Sequence, residues 1–220
     1  MKSPLLTLIS LTCFFTGCAQ GGSQQKPAAS DKKVGGSCEG CEAIYESPVP
    51  FDQLKWVDTL PGFFDEGEKF VVYGTIYQSD GKTPAPVVVL YIYHTDQKGI
   101  YPKKGDEKGW AQRHGYMRGW IKTDNNGAYK FYTSRPASYP NSRNPQHIHP
   151  TIKEPGYSEY YIDEFIFADD PVLDKEEGNH AENRGGNGLL HPKLVNGIYE
   201  AKRDIILGKN IPGHPGKNGK

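Results

Sequence analysis

Apolar positions in this chain gather in short runs separated by glycine, proline and asparagine, a spacing that belongs to strands and turns. Residues 70–77 read Phe-Val-Val-Tyr-Gly-Thr-Ile-Tyr, the β-branched and aromatic residues that pleated sheets favour. Residues 86–94 hold Val87-Val88-Val89-Leu90-Tyr91-Ile92-Tyr93, apolar throughout, which predicts a strand in a buried sheet. Between these runs Ser79-Asp80-Gly81-Lys82 is a turn signal. Gly81-Lys82-Thr83 has the ending of a phosphate loop, but no glycine stands five positions earlier and Pro84 follows where a helix would begin. It reads as a hairpin turn.

Residues 119–123 and 128–133 flank Asp124-Asn125-Asn126-Gly127, whose Asn-Gly step favours a tight hairpin. Residues 146–153, 160–168 and 203–207 read as further strands. Residues 46–67 carry Pro48, Pro50, Pro61 and Gly62 and little periodicity, so they predict an extended lead-in. Residues 174–198, rich in glycine, asparagine and charge, predict a long loop or lid. No amphipathic helical period and no internal repeat is evident. The expectation is an all-β fold, a β-sandwich of mostly antiparallel strands with long loops over residues 69–212, then a tail at 213–220.

Charge and the N-terminus narrow the function classes. Of 220 residues, 26 are basic and 26 acidic, and this balance argues against a nucleic-acid partner, which requires a basic excess. Residues 1–17 read as a targeting signal, with Lys2 ahead of a short apolar stretch. Phe15-Thr16-Gly17-Cys18 resembles the lipobox of bacterial lipoproteins, the alternative being an ordinary secretory signal. The lipoprotein reading predicts a mature chain beginning at a lipid-modified Cys18, a flexible tether over residues 18–36, and a place in the cell envelope, on the outer membrane or facing the periplasm. Residues 37–68 would then be a lead-in containing Cys38 and Cys41. In an exported protein two such thiols most often form a disulfide; a redox motif and half of a metal site are the other readings.

The chemistry centres on His147-Ile148-His149. In a strand, residues two apart share a face, so both imidazoles can reach one ion while Ile148 packs inward. Such a pair alone is weak, since imidazoles also serve as ordinary polar-face residues. It stands, however, in a series: Gly99-Ile100-Tyr101, then Lys122 to Phe131 around the Asp-Asn-Asn-Gly turn, then Arg135-Pro136-Ala137-Ser138-Tyr139-Pro140, then the histidines. That order resembles the intradiol ring-cleavage dioxygenases, the family of catechol and protocatechuate dioxygenases, over residues 69–171 and more loosely over residues 203–212.

The resemblance implies a non-haem Fe(III) held by Tyr101, Tyr139, His147 and His149, a small aromatic diol and O₂ as substrates, and ring opening to a muconate-type diacid. It also implies that one tyrosinate is displaced as the substrate gives up its protons, and Tyr139 is the tyrosine taken as catalytic. Phenolate is a hard anionic donor suited to a trivalent ion. Two departures stand out. Where the family commonly has an arginine three residues before the first histidine, this chain has Asn144, with Arg143 beside it as the candidate catalytic cation. Where the family usually shows a glutamine, it has Glu164, which would add negative charge near the site. The helical dimerising domain of the cytosolic members is also missing, so the oligomeric state stays open. A transthyretin-like binding module without catalytic metal fits the strand spacing equally well, and a copper or zinc binder would need only the histidines; neither accounts for both tyrosines.

Overall fold

The computed structural model describes residues 25–65, 67–173 and 182–216. The expected signal at residues 1–17 and the acylated Cys18 lie outside the described residues.

Two mixed sheets pack face to face. The first contains β1 (Val57–Thr59), β2 (Lys69–Tyr77), β5 (Ala128–Ser134), β10 (Lys193–Val195), β11 (Ile198–Lys202) and β12 (Ile205–Ile206). Its order is β1-β5-β2-β11-β10, with β12 also on β2. The second contains β3 (Val89–Tyr93), β4 (Arg118–Lys122), β6 (His147–Lys153), β7 (Tyr160–Tyr161), β8 (Phe165–Phe167) and β9 (Leu189–Leu190). There the order is β4-β3-β6-β8-β9, with β7 on β6. Phe70, Val72 and Ile76 of β2 and Phe131 of β5 meet Leu90, Ile92, Ile148 and Phe165 between the layers. Among the described residues no helix is long and apolar enough to cross a membrane.

β3 is buried on both faces, as its sequence predicts. Leu90 and Ile92 face the inter-sheet core, while Val89 and Tyr91 lie with Trp120 under Ala43, Ile44 and Leu54. The covering segment is not the extended lead-in expected from its prolines. It folds into 3₁₀ turns at Cys41–Glu46, Phe51–Gln53 and Pro61–Phe64, and Trp120 donates its indole N–H to the Ile44 carbonyl at 2.8 Å. Prolines tolerate such tight turns at their starts, and the apolar face of the turn finds the outer face of β3. A disulfide joins Cys38 and Cys41 at the head of this segment.

Several boundaries differ from the sequence expectation. The Asp124–Gly127 turn forms, with Asp124 Oδ1 accepting the Asn126 and Ala128 N–H groups at 2.9 and 2.8 Å. It is not a hairpin, because β4 pairs with β3 and β5 with β2, so the turn carries the chain from one sheet to the other. Residues 160–168 break into β7 and β8, which pair with opposite ends of β6. The lid expected at residues 174–198 is, in its described part, β9, β10 and the start of β11, strands too short for their pattern to be read from the sequence. The tether also ends sooner. Lys32 donates its N–H to Gly156 O at 3.0 Å, Gly35 to Pro212 O at 2.7 Å, and Val34 is buried.

Candidate metal centre

β6 places His147 and His149 on one face and buries Ile148 completely on the other. Tyr101 follows β3, ahead of a one-turn helix α1 (Ala111–His114), and Tyr139 lies between β5 and β6. The two tyrosine-bearing loops are pressed together at Gly99, whose φ of 73° and missing side chain both matter: an added Cβ would sit 2.0 Å from the Ser138 carbonyl oxygen. Thr95 Oγ1 donates to Ala137 O at 2.7 Å, and the Ala137 N–H to Asp96 O at 3.0 Å, completing the join.

Four donor atoms converge as a result. Tyr101 OH lies 2.9 Å and Tyr139 OH 3.0 Å from His149 Nε2. His147 Nε2 is 3.1 Å from both Tyr139 OH and His149 Nε2, and the two phenol oxygens are in direct contact. The outward nitrogens are engaged elsewhere. His147 Nδ1–H donates to Pro145 O at 2.6 Å, and His149 Nδ1–H to Glu164 Oε1 at 2.9 Å. Both Nε2 lone pairs therefore point into the cluster. At bond lengths of about 2.0–2.1 Å, donors around one tetrahedral ion stand roughly 3.3 Å apart, so this set of two imidazoles and two phenols fits a metal ion.

Burial and the neighbouring charges tune these groups. Burial raises the Tyr101 phenol far above its usual range, and contact with Tyr139 adds to the effect. Tyr139 is raised as well, mainly by burial. The His147 imidazole is pushed down by burial and by the His149 charge. Burial alone would raise the Glu164 carboxyl, but its hydrogen bond from His149 and the imidazole charges outweigh this and hold it below the usual carboxylate range. Without a cation, then, both phenols keep their protons, which a metal would displace, while the His147 imidazole is driven toward the neutral form that a metal binds.

A cavity of about 460 Å³ opens beside the cluster between Tyr139, Asn144, His147, Glu164, Ile166 and Leu173. Tyr139 lines it and Tyr101 does not. Arg143, the expected catalytic cation, is exposed and does not line the cavity; Asn144 does. Asn141 adopts φ 59° and the Asn144 N–H donates to Ser142 Oγ at 2.9 Å in the tight turn that carries Arg143. A larger groove of about 840 Å³ near Tyr45 and Trp110 holds none of the four donors.

Two participants take roles that the sequence does not disclose. Tyr93 is the cross-strand partner of His149 and stacks on it at 4.6 Å, with His114 on its other face at 3.7 Å. Only the β3–β6 register reveals this. Glu164 stands out in the sequence as a charge alone; its bond to His149 Nδ1 makes it the group that orients a candidate ligand. Although Glu164, His147 and His149 could be grouped as a three-ligand site, the carboxylate sits on the outward nitrogen rather than inside the cluster.

Comparison with known proteins agrees with the sandwich. The profile of the family described as dioxygenase matches residues 45–185, and the chain belongs to this family, that of the intradiol dioxygenases. It is 27% identical over 149 residues to the protocatechuate 3,4-dioxygenase beta chain of Burkholderia cepacia, covering 65% of this chain and 56% of that protein. Over 73 residues it is 40% identical to catechol 1,2-dioxygenase of Acinetobacter baylyi, covering 33% of this chain and 22% of that one. The chain thus spans less than two thirds of either relative. Among solved structures, the dioxygenase domain of a carbohydrate-binding fusion from Streptomyces sp. SirexAA-E superposes with a TM-score of 0.52 at 21% identity, over 68% of this chain and 85% of that one. Hydroxyquinol 1,2-dioxygenase from Pseudomonas putida DLL-E4 gives 0.51 at 20%, over 73% and 63%. At these identities the likeness is one of fold.

Proposed function

We propose that the protein is an Fe(III)-dependent intradiol dioxygenase that cleaves a catechol-type ring with O₂ to a muconate-type diacid. The observation that carries this reading is the convergence of Tyr101, Tyr139, His147 and His149 on one point beside a cavity. Ferric iron bound there supplies the redox chemistry that couples the ring to O₂. The chain supplies the rest. His147 and His149, each locked by a bond at Nδ1, present their Nε2 lone pairs at fixed angles. Tyr139, the phenol that borders the cavity, is placed to take a diol proton at its Oη as substrate enters. Ile166 and Leu173 offer apolar walls to the ring and limit water.

The test is oxygen uptake by ferric-reconstituted protein with a panel of catechols, together with its visible spectrum. Expected are one O₂ per ring, a diacid product, and a red to purple colour from tyrosinate-to-iron charge transfer. Colourless protein that retains zinc alone after ferric reconstitution would favour the histidine-only metal binder. Absence of uptake at full Fe(III) occupancy would leave a binding module. The proposal extends to a cell-envelope location through lipid at Cys18, supported by the Phe15 to Cys18 motif and checked by the intact mass of the mature chain.

A further inference from the structure

The cavity beside the donor cluster has a one-sided charge. Of its lining groups, Tyr139, Asn144, Pro145, Ile166 and Leu173 are neutral, and the two histidines turn their lone pairs to the cluster. Among the described residues Glu164 is the one acid that lines the cavity, and no lysine or arginine does. A smaller cavity of about 200 Å³ on the other side of His149 shares Glu164 and adds a second acid, Glu39. Among the described residues, the nearby arginines are paired or exposed. Arg135 is held by Gln146, Glu68 and Asp169, Arg113 pairs with Glu39, and Arg143 is exposed on its turn.

Glu164 is not there as a free surface charge. Its Oε1 accepts the His149 Nδ1 proton at 2.9 Å, and its side chain is 42% exposed, so one carboxylate both orients a ligand and faces the space a substrate would occupy. From this geometry we infer that Glu164 is a positioning residue that also sets specificity: it fixes His149 and makes the cavity select uncharged catechols over those carrying a ring carboxylate. The inference rests on the proposed ring-cleavage reading. It also separates this chain from the relative named for protocatechuate, a catechol bearing a carboxylate.

The magnitude is set by how far the charges are screened. Two like charges about 6 Å apart at an effective dielectric constant of about 40 repel enough to cost roughly tenfold in affinity. Glutamine can still accept the His149 Nδ1 proton through its amide oxygen, so Glu164→Gln removes the charge and keeps the orientation. Glu164→Ala removes both. The side chain is partly exposed, so both variants should fold, and thermal melting checks it.

The experiment is an anaerobic titration of ferric-loaded wild type, Glu164→Gln and Glu164→Ala with catechol and with 3,4-dihydroxybenzoate, followed by the visible band. Iron retention against a competing chelator is measured in parallel. Expected are tighter binding of catechol by wild type and a shift of about tenfold toward the carboxylated diol in Glu164→Gln, with iron retained. Glu164→Ala should lose iron about 10–100-fold more readily. An unchanged ratio of the two affinities in Glu164→Gln, or wild type that prefers the carboxylated diol, overturns charge selection. Iron retention equal to wild type in Glu164→Ala overturns the positioning role. If neither diol perturbs the band, the ring-cleavage reading fails and charge selection falls with it, while chelator resistance still decides the positioning role on its own.

Discussion

The Nε2 atoms of His147 and His149 lie 3.1 Å apart, with the Tyr139 phenol oxygen 3.1 and 3.0 Å from them. Each ring has its proton on the other nitrogen, bonded to Pro145 O in one case and to Glu164 in the other. With the phenols protonated, Tyr101 and Tyr139 can donate to these Nε2 lone pairs, and a metal ion would replace those protons. The backbone of β6 and the two outward hydrogen bonds hold the pair ready, and the tyrosine oxygens close the same space.

Loss of a single donor should therefore cost the ion rather than the fold. Tyr139→Phe and His147→Ala are each expected to lose most of the bound iron and its colour, with the melting temperature of the metal-free protein nearly unchanged. Metal analysis after gel filtration, compared with wild type, checks this.

Arg143 is exposed on the turn after Tyr139, so Arg143→Ala should leave turnover within about threefold, about 0.7 kcal/mol of barrier. Asn144→Ala, which alters the cavity wall, should reduce kcat/KM more than Arg143→Ala does. Steady-state oxygen uptake by the two variants ranks them directly.

Gly99→Ala tests the join between the two tyrosine loops. Its φ of 73° and the Ser138 carbonyl 2.0 Å from a new Cβ leave no room for a methyl group. Backbone strain of about 1–3 kcal/mol is expected, relieved by separating the loops that carry Tyr101 and Tyr139. The outcome to look for is weaker iron retention together with a shifted charge-transfer band, read by absorbance during a chelator challenge.

His94 predicts an acid weakness. Burial pushes its imidazole from the ordinary 6.5 down to about 4, and its ring is enclosed by Thr95 O at 2.7 Å and Thr133 Oγ1 at 2.6 Å. The unfolded chain binds this proton more readily than the folded one, so stability rises with pH across the window from about 4 to 6.5 and is lost as pH falls through it. At about 1.4 kcal/mol per pH unit, the loss is about 3 kcal/mol. Urea unfolding at several pH values should show this slope in wild type and a shallower one in His94→Gln; equal slopes would assign the acid sensitivity elsewhere.

Much of the fold was legible because strands announce themselves locally. The β-branched and aromatic run before Tyr77 became β2, and the wholly apolar run around Leu90 became a strand covered on both faces. The alternation of His147, Ile148 and His149 put both imidazoles on one side, as a period of two requires. Pairing was not legible in the same way. The Asn126-Gly127 turn looks the same in sequence whether its flanking strands pair with each other or, as here, with β3 and β2. Which partner wins depends on the packing of whole layers.

The sequence by itself determined the residue types of the site and their order, because a strand's side-chain period and the chemistry of phenol and imidazole are local properties. Tertiary structure decided what those residues meet. Tyr101 and Tyr139 are brought together by a contact between Gly99 and Ser138, far apart along the chain. Tyr93 reaches His149 only through the β3–β6 register, and Glu164 finds His149 Nδ1 because β8 pairs with the start of β6. The same folding left Arg143 exposed and placed Glu164 at the cavity. Such contacts are set by the packing of two sheets and the loops between them, and no periodicity along the chain encodes them.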